Sequence, residues 1–174
     1  MSKTIKTEAI VLKRKNLLDK DTLITFFSKE SGKVNVFAKG IKTISSKRLP
    51  HTQTANLIKA VIYNKDGKMF LQETSLLSGF SDIKRDSKKI SFLYFFFHVL
   101  DRLLPENQRE DRVYDETKRF LINLSRKDAT IKLLEKHLNK LLQDLGYIHG
   151  KKSLEQLHRI VEELTNEKIP LLII

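Results

Sequence analysis

Near residue 80 the apolar residues of this chain change period, from the two-residue alternation of strands to the three-and-four spacing of helices, and the charge changes with them. Residues 1–90 hold 19 Lys and Arg against 8 Asp and Glu, whereas residues 91–174 hold 14 against 13. The net charge of +12 therefore divides as +11 and +1. A β-patterned half with almost all the excess cations, followed by a helical half of ordinary surface charge, points to a polyanion-binding face on a support. Nucleic acid is the first polyanion to consider.

The first half reads as five short strands. Glu8–Leu12 is rich in β-formers and runs into Lys13-Arg14-Lys15. Asp21–Ser28 carries β-branched and aromatic residues, Lys29-Glu30-Ser31-Gly32 signals a turn, and Lys33–Lys39 alternates Val34, Val36 and Ala38 with Lys33, Asn35, Phe37 and Lys39. These two segments predict a hairpin. Gly40–Thr54 reads as a loop, and a second hairpin joins Ala55–Tyr63 to Met69–Leu77 through a turn containing Asp66-Gly67. Five strands in about 80 residues predict an antiparallel OB-type β-barrel, although strand count alone also allows an SH3-like barrel.

After Gly79 the pattern is helical. Ser87–Leu104 is apolar on most sides, as expected of a helix in the middle of a bundle, and Pro105 ends it. Asp111–Leu124 and Ala129–Leu145 are amphipathic, with Gly146 as a C-cap signal. Ser153 is a predicted N-cap for a last helix through about Glu167. The fold class expected is α+β: an OB barrel over residues 1–80 and an all-α helical domain over 81–174.

Several chemistries are excluded or disfavoured. With no Cys there is no disulfide framework, thiol nucleophile or thiolate zinc site. His51, His98, His137, His149 and His158 lack metal-ligand spacing, so no metal or cofactor is expected. Asp19 and Asp21 are a close carboxylate pair without a base, a nucleophile or a Gly-rich phosphate loop, and a turn-forming role accounts for them better than nuclease or phosphotransferase chemistry. The apolar run Ala9–Leu12 is too short for a signal peptide, and Phe92–Leu100 is too short for a membrane span. A soluble cytoplasmic, non-enzymatic protein is the expectation.

Specific segments carry a resemblance. Thr7–Lys13 (TEAIVLK), Asp21-Thr22-Leu23, Thr25-Phe26-Phe27, Gly32-Lys33-Val34, Ala38-Lys39-Gly40 and Ser46-Lys47-Arg48 follow one another in the order and spacing of the RecO family of bacterial recombination mediators. Leu100–Pro105 and Leu141-Leu142 with Leu145-Gly146-Tyr147 resemble that family's later motifs. The resemblance implies an N-terminal OB barrel that binds single- and double-stranded DNA, and a helical domain behind it. It also implies annealing of complementary strands and loading of RecA onto DNA coated by single-stranded DNA-binding protein (SSB). Partners implied are RecR, the C-terminal tail of SSB, and RecF. Many members insert a four-Cys zinc module after the LGY segment; here Tyr147–Lys152 runs into the last helix without Cys.

Candidate nucleic-acid contacts follow from residue chemistry. Lys39, Lys42, Lys47 and Arg48 each suit a phosphate, Thr43, Ser45 and Ser46 offer hydroxyl donors, and Gly40 permits close backbone approach. Lys13 and Lys15 share one strand face with Arg14 on the other, either extending the phosphate track or protecting an edge. Lys33, which opens the Lys33–Lys39 strand of the first hairpin, is a further candidate contact. Phe26 and Phe27 alternate, so at least one is expected in the core, whereas Phe37 sits opposite the apolar phase and is the candidate for base stacking. In the helical half, Arg119, Arg126, Lys132, Lys136 and Lys140 lie beside apolar helix surfaces, where packing and solubility account for them; the resemblance implies that the acidic SSB tail docks on this domain, at no assigned position. RNA binding, or a basic adaptor face for an acidic partner, remains compatible with charge and fold.

Overall fold

The computed structural model describes residues 3–18, 21–41, 46–169 and 172. The chain forms two compact units, residues 1–79 with 105–110, and residues 80–104 with 111–174.

The first unit is a closed five-stranded barrel: β1 (Lys3–Asn16), β2 (Thr22–Ser28), β3 (Gly32–Ala38), β4 (Leu57–Lys65) and β5 (Lys68–Ser78), in the order β1-β2-β3-β5-β4. All pairings are antiparallel except the short β3–β5 closure, Val36 with Met69 and Phe37 with Phe70. This is an OB-type barrel, as the strand pattern predicts. β1 is much longer than Glu8–Leu12, because its polar ends pair with β4 on one side and β2 on the other, and a bulge between Val11 and Lys13 lets it bend from one partner to the next.

Inward positions fill the barrel with Ala9, Val11, Ile24, Phe26, Val34, Val36, Ala38, Ile58, Ala60, Ile62 and Leu71, and Ile41 joins them from the loop after β3. Phe27 is fully buried too, although it occupies the opposite phase beside its register partner Ile10. Neither Phe26 nor Phe27 is available to a ligand. The β4–β5 turn puts Asp66 at φ 52° and Gly67 at φ 77°, the type I′ geometry whose twist matches the flanking strands, and the Gly67 N–H donates to Asn64 Oδ1 at 3.1 Å.

Residues 105–110 form a strap against the start of β3. The Asn107 N–H donates to the Lys33 carbonyl at 2.8 Å, Glu106 bridges Lys33 in parallel, and Asn35 Nδ2 donates to Glu106 Oε1 at 3.3 Å.

The second unit holds, among the described residues, α1 (Ser81–Lys84), α2 (Ser87–Leu103), α3 (Asp111–Arg126), α4 (Ile131–Asp144) and α5 (Leu154–Thr165). As its composition predicts, α2 is central, burying Phe92, Phe95, Phe96 and Phe97 and touching every other helix of the unit; the Phe96 and Phe120 rings stack at 4.1 Å. Asp86 and Thr130 cap α2 and α4, and Ser153 forms a reciprocal capping box with Gln156. Helix α4 ends in a Schellman motif: the Gly146 N–H donates to the Gln143 carbonyl, the Tyr147 N–H donates to the Leu142 carbonyl, and Gly146 takes φ 80°. Under these helices Glu116 and His137 are buried and joined at 2.6 Å.

Candidate nucleic-acid interface

Strand register puts the sequence candidates into rows on the outer face of the barrel. Because side chains alternate, residues paired across strands share a face. One row runs Lys15, Leu23, Phe37, Phe70, Tyr63, Thr4, in that order across β1, β2, β3, β5, β4 and back to β1. Its middle is aromatic: Phe37 and Phe70 centroids lie 5.7 Å apart, and Tyr63 stacks on Phe70 at 5.2 Å and 19°. The ammonium of Lys39 sits 5.0 Å from the centre of the Phe70 ring, within cation–π range. Two residues from the row, on the same phase, lie Lys13, Lys65 and Lys68, all exposed.

The remaining candidates separate into open and committed groups. Arg14, Lys15, Lys39 and Lys47 are exposed. Lys42, Thr43 and Ser45 lie outside the described residues, as does Asp19. Lys33, a candidate contact, is only 8% exposed, because the 105–110 strap runs alongside its strand. Arg48 is a structural clasp, its guanidinium donating to the carbonyls of Leu71 at 2.9 Å and Lys39 at 2.7 Å, which ties the loop after β3 to β5. Gly40 is a turn residue at φ 61°, and its N–H donates to Asp21 Oδ1 at 2.8 Å, so a carboxylate occupies the place expected for a phosphate. Ser46 Oγ is buried rather than presented as a donor.

Phe70, Tyr63, Lys65 and Lys68 belong to this face although the sequence reading did not single them out. The signal was present: Tyr63 and Lys65 are opposite in phase to Ile58, Ala60 and Ile62, and a two-residue Asp-Gly turn pairs Tyr63 with Phe70. A different part of the barrel, over β1, β4 and β5, carries a groove of about 420 Å³ whose lining includes Lys6 and Lys59 with Glu8, Glu30 and Glu73. Three carboxylates beside two lysines make it a poor phosphate site. In the helical unit Arg119 is paired with Glu116 at 2.7 Å and Lys140 with Asp144 at 2.5 Å.

No group of three or more metal-ligating side chains occurs among the described residues, and no described helix is long and apolar enough to cross a membrane.

An OB-type barrel with lysines around an outward aromatic row agrees with the family comparison. Residues 1–80 match the family model for the recombination protein O N terminal. Over these residues the barrel is similar to the RecO N-terminal family. Beyond the barrel the chain is similar to proteins named DNA repair protein RecO. That of Caldanaerobacter subterraneus subsp. tengcongensis is 28% identical over 145 residues, covering 83% of this chain and 59% of the relative. The Acetivibrio thermocellus protein is 26% identical over 144 residues, covering 82% and 57%. That of Oceanobacillus iheyensis is 26% identical over 123 residues, 71% of this chain and 48% of the relative. The chain thus spans less than two thirds of the length of these relatives.

Proposed function

We propose that this chain is a non-enzymatic DNA-binding and strand-annealing recombination mediator acting in DNA repair. The observation that carries the reading is the outer face of the barrel, where exposed Lys13, Lys15, Lys39, Lys65 and Lys68 surround an aromatic row on a fold similar to the RecO N-terminal family. Cations at fixed positions neutralise phosphates and release their counterions, which grips single- and double-stranded DNA without regard to sequence. Two polyanionic strands held on one basic surface repel each other less, and base pairing then supplies the free energy of annealing. No nucleotide hydrolysis is needed.

In the cell this activity would serve to load RecA onto SSB-coated single strands, with RecR, the SSB C-terminal tail and RecF as partners. The likeness of the barrel and the RecO name of the similar chains support that assignment. Lys13, Arg14, Lys15, Lys39, Lys42, Lys47, Lys65 and Lys68 are the cations proposed to supply the phosphate contacts; Lys33, Gly40 and Arg48 are withdrawn to structural roles.

Titration of labelled oligonucleotides against salt tests the reading. With about four to six phosphates contacted, log affinity falls with log salt at a slope of roughly −3 to −5. A flat response removes the phosphate track. Fluorescence-monitored annealing of SSB-coated complementary strands is expected to accelerate when the protein is added. A marked preference for RNA strands would redirect the reading to an RNA-binding barrel.

A further inference from the structure

We infer that the row Phe37–Phe70–Tyr63 is a stacking platform for unpaired nucleobases, and that it makes the grip of the barrel depend on whether the bound strand is paired. The inference rests on the nucleic-acid reading above and adds to it a ligand class, unstacked bases, and a consequence, release of the annealed product.

The rings occupy consecutive register positions on three neighbouring strands, all in the outward phase, and each keeps part of its surface open to solvent. Aromatic pairs across strands also stabilise a sheet. That role alone does not account for the surroundings. Lys39 rests on the Phe70 ring at 5.0 Å, and Lys65 and Lys68 lie one side-chain alternation away from Tyr63 and Phe70. A nucleotide needs both elements together, an apolar ring face for the base and a cation within a few ångströms for its phosphate.

The ends of the row differ. Phe37 is flanked by Leu23, which is half-buried, whereas Tyr63 is flanked by Thr4, which is short and exposed. Tyr63 is therefore the end at which an added ring extends the stack.

A single strand engages this surface through phosphates and bases. A duplex keeps its bases stacked on one another and engages it through phosphates alone. Pairing of two bound strands then withdraws the base contribution while leaving the electrostatic one, so annealing weakens the hold on its own product. By general behaviour of aromatic platforms, each stacked base is worth about 5- to 150-fold in affinity.

The test compares an oligo(dT) strand with an abasic tetrahydrofuran strand of the same length and charge, by fluorescence anisotropy on the full chain. Wild-type protein is expected to prefer the base-bearing strand by at least about 10-fold, with equal salt slopes for the two. Tyr63→Leu and Phe70→Leu keep an apolar side chain and are expected to bring that preference within about threefold, leaving the slope unchanged; Phe70→Tyr retains it. Lys68→Ala is expected to do the opposite, lowering the slope by about one and sparing the preference. Equal binding of both strands by wild-type protein overturns the platform while leaving the phosphate track in place. Failure to bind either strand at low salt overturns the nucleic-acid reading itself. The wild-type comparison decides the matter even where a leucine variant fails to fold.

Discussion

Gly32 opens β3 at φ 71°, and a Cβ placed on it would lie 1.7 Å from the carbonyl oxygen of Gln108 and 2.5 Å from that carbonyl carbon. Gly32→Ala therefore carries two costs. Holding an L-residue in the left-handed region costs about 1–2 kcal/mol. The collision is with main chain, which has no rotamer to escape into, so the 105–110 strap must retreat by more than an ångström. The 2.8 Å bond from the Asn107 N–H to the Lys33 carbonyl does not survive such a shift, and its loss adds about 1 kcal/mol. The expected total is about 3 kcal/mol. Gly67→Ala is the internal control, with φ 77° and no atom within 4 Å of the added Cβ, so it bears the backbone term alone. Urea denaturation of the two variants should differ by about 1–2 kcal/mol, and acylation of Lys33, followed by mass spectrometry, should quicken in Gly32→Ala as the strap lifts. Equal destabilisation of the two variants, with Lys33 still protected, would refute the packing of the strap against β3.

Arg48→Ala removes two guanidinium bonds to main-chain carbonyls, and urea melts should show a loss of about 2–3 kcal/mol; Arg48→Lys should not restore it, since one ammonium lacks the planar fork that spans Leu71 and Lys39. Glu116→Ala leaves the buried His137 Nδ1 and the Arg119 guanidinium without their shared acceptor, which should cost about 3 kcal/mol by calorimetry. Adding His137→Leu should recover part of that loss, because the orphaned donor is then gone, and a purely additive double mutant would contradict the pairing.

The hairpins were legible because their signals are local. Val34, Val36 and Ala38 declare a phase, and Asp66-Gly67 selects one turn geometry, whatever the rest of the chain does. The capping residues Asp86, Thr130 and Ser153 are local in the same sense, although only Ser153 was singled out from sequence. Helix α1 went unseen because four residues between Gly79 and Asp86 are too few to show a period. Both ends of β1 were missed for a different reason. Lys3–Thr7 and Lys13–Asn16 lack an apolar pattern and become strand through hydrogen bonds to β4 and β2.

Site residues were legible only as far as alternation carries. Exposure of Lys13, Lys15, Lys39 and Lys47 follows from type and phase. Lys33 has the same type and the same outward phase, yet the strap from residues 105–110 buries it, and nothing within its own hairpin announces that strap. Arg48 looked like one more phosphate ligand until the loop after β3 brought its guanidinium against the carbonyls of Leu71 in β5 and of Lys39 at the start of the loop. Tyr63 and Phe70 each read as ordinary strand aromatics.

By itself, the sequence determined how each segment is patterned, where it turns, and that the cations accumulate on the β half, because these properties depend on neighbours within a few residues. Closure of β3 against β5 was decided only in three dimensions. That closure places Phe37 beside Phe70 and Tyr63 and sets Lys39 over an aromatic ring. The physical reason is that a side chain's phase is fixed by its own strand, whereas its neighbours across the sheet are fixed by register between strands that meet only when the barrel closes.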